Sequence, residues 1–414
     1  MPVALAVESL VVIDSSDNEI NVEAMPADGE LMVIWLVDHV EKRLLFEKML
    51  KAVNGEGIEV WRVDLLADYF MPRSSENVRT MSGEGVAALI EAAHKRTQKR
   101  IILAAYDRMP LPLLRGVREW QQKSASDESR LVGGVLFYPN LFGPPPIAGE
   151  APELDPVVGA TNIPLTIYQP ERGTHRLRLA EVMRSLWRGG AKAFVYFVPD
   201  VRDWFFMHPL EGENSEAQLA TAAERRATAN VPKKLMQFAQ MMNRQPKPVS
   251  FVPMPDNKVK AKQVTGLVNI NNTRPAPPFK LMDVLGRTIN LNDYRGKVTL
   301  VNFWVTWCPP CVEEIPSLNR LAQSYNEQPF AVVSIDFRES EATVAKFTKR
   351  VPVDFPVLVD ADGNVSMSWK VFSLPSSFII DRKGHIRYTV NRAIEWDTPE
   401  VRRKIDSLLI ESEG

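Results

Sequence analysis

Residues 298–316 read VTLVNFWVTWCPPCVEEIP. Apart from Asn302, Val298 to Val305 is a run of apolar, β-branched and aromatic residues, the pattern of a buried strand, and it falls far short of the roughly 20 apolar residues that cross a membrane. The two prolines that follow fit the first turn of a helix, where a missing N–H leaves no bond unmade. The chain therefore passes from strand to helix at Cys308, which puts the Cys308 sulfur at a helix N-terminus. Unpaired N–H groups and the positive end of the helix dipole favour a thiolate there, and the thiolate is the attacking species in disulfide exchange. Cys308 is the expected nucleophile, and Cys311, one turn into the helix, the expected resolving thiol. Pro309 and Pro310 each remove a donor from the sulfur's surroundings. A less stabilised thiolate makes the pair a better reductant, so reductase character is expected.

Further out in the sequence, the pair stands alone. Cys308 and Cys311 are the only two cysteines in 414 residues, which excludes a framework of structural disulfides. The five histidines, His39, His94, His175, His208 and His385, are scattered rather than grouped near the cysteines, so no metal site is expected. A lone structural disulfide or half of a metal site is the competing reading of the pair. Removal of every other thiol suits an oxidising compartment. Fifty basic residues against 51 acidic ones leave a net charge of -1, a balance without a nucleic-acid footprint. The length implies two or three domains, each with its own core. Met1 to Val12 contains Glu8 and no positive n-region, so it does not read as a signal peptide. The expectation is either a cytosolic protein or a chain that begins after a removed export segment.

From Pro278 onward the pattern is a hairpin (Phe279 to Leu291, turning at Leu285-Gly286), the strand Val298 to Val305, a helix to about Tyr325 and a strand Ala331 to Asp336. A helix Glu341 to Arg350, strands Phe378 to Asp381 and Ile386 to Val390, and a last helix from Pro399 complete it. The order is βαβ followed by ββα. Ala276-Pro277-Pro278-Phe279, Leu291 to Lys297, Val301-Asn302-Phe303-Trp304, Trp307 to Cys311, Glu314-Ile315-Pro316 and Leu374 to Asp381 together make this region, 275–414, resemble the TlpA/ResA-like, thioredoxin-fold family of extracytoplasmic thiol-disulfide oxidoreductases. The resemblance implies that Glu314 handles the proton of the second cysteine. It places Pro375 at a cis-proline position, where the backbone of Leu374 pairs with substrate. Trp307, next to Cys308, is expected to shield the cysteines from water and to bind substrate together with Leu374 and Pro375. It also implies a protein disulfide substrate, a membrane-bound thiol donor, no cofactor beyond the Cys308-Cys311 disulfide, and a periplasmic location. Asn302 stands where thioredoxin has a buried aspartate, so that aspartate's role is lost. A surface glutamate at 314 and a trans turn proline at 375 are the plainer alternatives.

The first half is also α/β. Short apolar runs, Ser9 to Ile13, Met32 to Val37, Ile58 to Val63, Arg100 to Ala104, Leu131 to Phe137, Leu165 to Tyr168 and Ala193 to Val198, alternate with helical stretches such as Lys42 to Val53, Gly83 to Arg96 and Arg176 to Trp187. Crossovers of this length imply mostly parallel pairing. The order, with a hairpin from Ser9 to Ala27, resembles an α/β-hydrolase sheet over residues 1–210. After Arg100 to Ala104, where that family carries its G-x-S-x-G elbow, the sequence is Ala105-Tyr106-Asp107-Arg108-Met109. The resemblance implies Asp107 at the nucleophile position, with Glu171 and His208 as acid and base. Met109 in place of glycine favours a scaffold that has lost catalysis. Residues 211–274 read as a linker with two helices, Ala217 to Ala229 and Lys233 to Met242, broken at Pro232.

The function expected from the whole is disulfide reduction through the CPPC dithiol, with the N-terminal domain binding or positioning partners. A hydrolase that carries a redox module and a non-catalytic scaffold protein are the rival readings.

Overall fold

Met32, Ile34 and Leu36 pack into one hydrophobic cluster and Val33 and Trp35 into another, although they alternate along one strand. A strand turns successive side chains to opposite faces, so an unbroken apolar run such as LMVIWL marks a strand covered on both sides. The structure, a computed structural model, describes residues 7–38, 43–123, 130–143, 147–213, 219–245, 252–254 and 266–411. The chain divides into two compact units: Met1–Gly143 with Leu154–Val259, and Pro144–Glu153 with Lys260–Gly414.

The first unit is built on β1 (Glu8–Ile13), β2 (Glu19–Met25), β3 (Leu31–Leu36), β4 (Glu59–Val63), β5 (Arg100–Tyr106), β6 (Leu131–Phe137), β7 (Leu165–Pro170) and β8 (Ala193–Val198). They form one sheet in the order β1-β2-β4-β3-β5-β6-β7-β8. β2 runs antiparallel to β1 and β4, and the other neighbours are parallel. The helices are α1 (Leu44–Gly55), α2 (Leu65–Asp68), α3 (Ser75–Thr80), α4 (Glu84–Arg96), α5 (Pro110–Lys123), α6 (Pro156–Gly159), α7 (Leu179–Arg188) and α8 (Ala222–Asn243). α1 and α8 cover one face of the sheet, and α4, α5 and α7 cover the other.

The expected linker over 211–274 needs correction at both ends. α8 runs unbroken through Pro232 and belongs to the first unit, burying Ala227, Val231, Leu235, Phe238, Ala239 and Met242 against the sheet. Proline removes one backbone donor, and this apolar stripe together with the Thr221–Glu224 capping box outweighs the loss. At the other end, β9 (Val268–Pro275) pairs with the C-terminal sheet. Its sequence, VNINNTRP, is polar because an edge strand is held by backbone hydrogen bonds and needs no apolar face.

The second unit continues with β10 (Lys280–Met282), β11 (Thr288–Asn290), β12 (Val298–Trp304), β13 (Phe330–Phe337), β14 (Val357–Asp360), β15 (Ser376–Ile380) and β16 (His385–Val390). Its helices are α9 (Pro309–Ser324), α10 (Glu341–Thr348), α11 (Asn364–Ser368) and α12 (Pro399–Ile410). The sheet order is β14-β13-β12-β15-β16-β9, with β12 parallel to β13 and antiparallel to β15, and β10 and β11 form the expected hairpin. β14 escapes the sequence reading because four residues are too few to show a period. α9 and α12 share one core with Leu300 and Ile379, while Val301, Phe303 and Phe378 face the other with Trp369. Ala148 is buried in that second core, and Arg274 donates to the carbonyl of Gly149 at 2.9 Å, so residues 147–150 belong to this unit despite their place in the sequence. Among the described residues no helix is long and apolar enough to cross a membrane.

A buried ion pair anchors the start of α8. Glu224 is fully buried, and Arg202 donates to it from Nε at 2.7 Å and from Nη2 at 2.8 Å. His208 Nδ1 lies 3.2 Å from the same carboxylate. Burial pushes the Glu224 carboxyl up, but the bonds from Arg202 and His208 win and hold it well below the usual carboxylate range. Glu224→Ala removes the buried carboxylate that Arg202 and His208 both face and should destabilise the first unit by about 3–5 kcal/mol, read from its chemical unfolding midpoint. Glu224→Gln, which keeps part of the hydrogen bonding, should lose less.

Candidate active site

β12 ends at Trp304 and α9 begins at Pro309, with Cys308 at the N-cap in an extended conformation (φ -96°, ψ 104°). Pro309 and Pro310 carry no N–H. The next two amide donors of the turn, Cys311 and Val312, both reach the Cys308 carbonyl, at 3.0 and 3.1 Å. The helix start therefore directs its nearest donors to the backbone of Cys308. The two sulfurs are joined at 2.05 Å. Cys308 is 8% exposed and Cys311 1%, so an incoming group meets Cys308 first.

Glu314 follows Cys311 by one turn of α9 and is 2% exposed, not the surface residue of the plainer reading. Asn302 of β12 donates from Nδ2 to its Oε1 at 2.8 Å, and Trp396, between β16 and α12, donates from Nε1 to its Oε2 at 3.0 Å. Burial lifts the Glu314 carboxyl to about 7, against the pull of those donors and of the Ile394 amide. The carboxyl thus changes charge near neutral pH in a site where it has donors for its ionised form. Asn302 also donates to Ser377 Oγ at 2.9 Å, so it ties β12 to β15 and to α9 at once.

The pairing of Phe303 with Ser376 brings the chain just before β15 to the sheet end from which the Cys308 loop leaves. Leu374-Pro375 lies there with a cis peptide bond, Pro375 buried and Leu374 half-buried. Trp307 is half-buried beside the cysteines in sequence, whereas Trp304 is buried against Phe347. Glu339 accepts from the Thr306 amide at 2.6 Å and from its hydroxyl at 2.8 Å, holding the loop that leads into Cys308. Glu339 and Trp396 had no signal in the sequence, since each lies dozens of residues from the motif it serves. Among the described residues, no group of three His, Cys, Asp or Glu side chains is placed to hold a metal ion.

In the first unit the structure does not assemble Asp107, Glu171 and His208. Asp107 directly follows β5 with φ 50°, a left-handed conformation unfavourable for a side-chain-bearing residue, and is 3% exposed. Its carboxylate accepts from Arg108 Nη1 at 2.6 Å and lies 3.8 Å from Nε2 of His175. Glu171 is exposed, 3.9 Å from Arg176, and His208 is committed to Glu224. The reason is topological: His175 follows β7 in a short 3-10 turn that folds over the end of β5, whereas His208 lies next to the α8 start and its ion pair. The one hint in the sequence was a histidine four residues beyond Glu171. Burial lowers the His175 imidazole to about 4, against the pull of Asp107, so it stays neutral at pH 7.

Residues 273–389 match the AhpC/TSA family. Over 113 residues the chain is 37% identical to the thiol-disulfide oxidoreductase ResA of Bacillus thuringiensis subsp. konkukian, covering 27% of this chain and 65% of that one, slightly under two thirds of the relative's length. Over 133 residues it is 33% identical to the ResA protein of Geobacillus kaustophilus, covering 32% of this chain and 75% of that one. A solved thiol:disulfide interchange protein of the thioredoxin family from Chlorobium tepidum is 25% identical, covers 34% of this chain and 99% of its own, and superimposes with a TM-score of 0.30. Through its C-terminal, thioredoxin-like domain the chain belongs to the ResA family of thiol-disulfide oxidoreductases.

Proposed function

We propose that the second unit is a reductase of protein disulfides. The observation that carries this reading is the arrangement on α9: the more accessible Cys308 at the helix N-terminus, Cys311 closed off behind it, and a buried carboxyl group one turn further on. In the dithiol form the Cys308 thiolate attacks one sulfur of a substrate disulfide. A mixed disulfide forms and one substrate thiolate leaves. Glu314, ionised, takes the proton of Cys311, whose thiolate then attacks the Cys308 sulfur. The second substrate thiolate departs and is protonated, and the Cys308–Cys311 disulfide closes. Two electrons pass from protein to substrate, and no cofactor takes part. Leu374 and Pro375 present backbone to an extended substrate segment, and Trp307 shields the reacting sulfurs. The dithiol is restored by a second thiol protein, membrane-bound in this reading, and the chain works in the periplasm.

The first unit serves as a hydrolase-like scaffold that binds or positions partners. Its strand order and the single strand antiparallel to its neighbours support the hydrolase-like part. Engagement of Asp107 by Arg108, and the separate commitments of Glu171 and His208, support a scaffold over a hydrolase.

Cys308→Ser should abolish reduction of a model protein disulfide, while Cys311→Ser should accumulate a mixed disulfide on Cys308, visible by mass spectrometry of non-reduced protein. A reduction potential near the strongly oxidising end, about -120 mV, would exclude a reductase. Because Glu314 accepts a proton only when ionised, the single-turnover rate of the resolving step should rise with pH through about 7. Glu314→Gln should flatten that rise and slow the step on the order of 100-fold.

A further inference from the structure

Trp396 reaches the site from outside the motif. It is fully buried in the core beneath α9, packed with Leu318, Leu321 and Ile405. Buried indoles keep their N–H in a hydrogen bond, and this one is directed at a carboxylate oxygen of Glu314 at 3.0 Å. The backbone around it is fastened to the same helix. The Trp396 amide donates to Ser317 Oγ at 3.1 Å, and Ser317 in turn donates to the Glu314 carbonyl at 2.9 Å. On either side, Arg320 of α9 grips both neighbours: its Nε donates to Asp397 at 2.5 Å, and its Nη2 donates to Glu395. Three consecutive residues, Glu395, Trp396 and Asp397, are thus latched to one face of α9, and the middle one carries the indole inward.

We propose that Trp396 is a positioning residue for the thiol–disulfide reaction, holding the Glu314 carboxylate in place one helical turn from Cys311, and that Arg320 sets Trp396 by latching its two neighbours. The proposal rests on the reading of Glu314 as proton acceptor for Cys311. A carboxylate held at both oxygens, by Asn302 from β12 and Trp396 from the opposite side, has little freedom to turn away from the helix that carries the thiol. The groups facing Glu314 are few. β12 offers Asn302, the segment after β16 offers the Trp396 indole and the Ile394 amide, and no charged side chain acts on it from these elements. Losing one donor to the ionised form therefore has no nearby charge to mask it.

The test follows Glu314 directly by carbon-13 NMR of glutamate-labelled full-length protein in the disulfide form, where no thiol titrates, with Glu314→Gln identifying the resonance. Trp396→Phe should raise the Glu314 midpoint by about one pH unit, the loss of one charge-assisted hydrogen bond. Arg320→Ala, a surface change that leaves the core intact, should raise it less and in the same direction, and it decides the matter alone if Trp396→Phe does not fold. High salt, which screens an exposed ion pair, should reproduce the Arg320→Ala shift in the unaltered protein and add nothing to the variant. The pH at which the resolving step reaches half its maximal rate should move with the midpoint. An unchanged Glu314 midpoint in the folded variants overturns the proposal. A midpoint that moves while the pH profile stays still supports the Trp396–Glu314 coupling and instead overturns Glu314 as the proton acceptor.

Discussion

β12 is bonded on both edges, parallel to β13 and antiparallel to β15, and all seven of its residues are buried. The chemistry of the second unit depends on that confinement. A strand fixed on both sides delivers its C-terminal end to one place, and the chain that leaves it must enter α9 at Cys308. The same pairing carries Asn302 to Ser377 and brings the start of β15, with Leu374 and Pro375 just before it, to the end of the sheet where the disulfide lies. The cysteines, the proline and the polar side chains of the site are thus placed by one set of backbone hydrogen bonds.

Around the sulfurs the protein arranges charge by burial. Glu314 is shut away with donors for its ionised form but, among the described residues, no cationic partner, so its carboxyl sits near neutrality, poised between two states. Glu224 in the first unit shows the opposite arrangement: equally buried, yet held ionised because Arg202 faces it. The two carboxylates differ in their partners more than in their burial, and that difference separates a group suited to move protons from one suited to anchor a helix.

The first unit shows how far a motif depends on its surroundings. Asp107 occupies a strand-to-helix turn with a left-handed backbone, and a histidine does lie beside it. That histidine is His175, however, and Arg108 takes up the carboxylate. Chain order alone pointed to His208, because a count of residues carries no information about which loop folds over which strand.

Much of the molecule is legible in its sequence. An apolar run such as LMVIWL declares a strand covered on both faces, because a two-residue period with no polar member leaves no solvent side. Pro309 and Pro310 mark a helix start because a proline in the first turn costs no hydrogen bond, so the roles expected of Cys308 and Cys311 follow from local chemistry. What the sequence left open depends on partners distant along the chain. β14 and β9 are strands because neighbouring strands bond to them, and Pro232 lies within a helix because a buried stripe outweighs one lost hydrogen bond. Glu314 has the same side chain in either of its possible settings. Only the closure of β12, β15 and the Trp396 segment around it decides that it is buried, doubly bonded and poised near neutral pH.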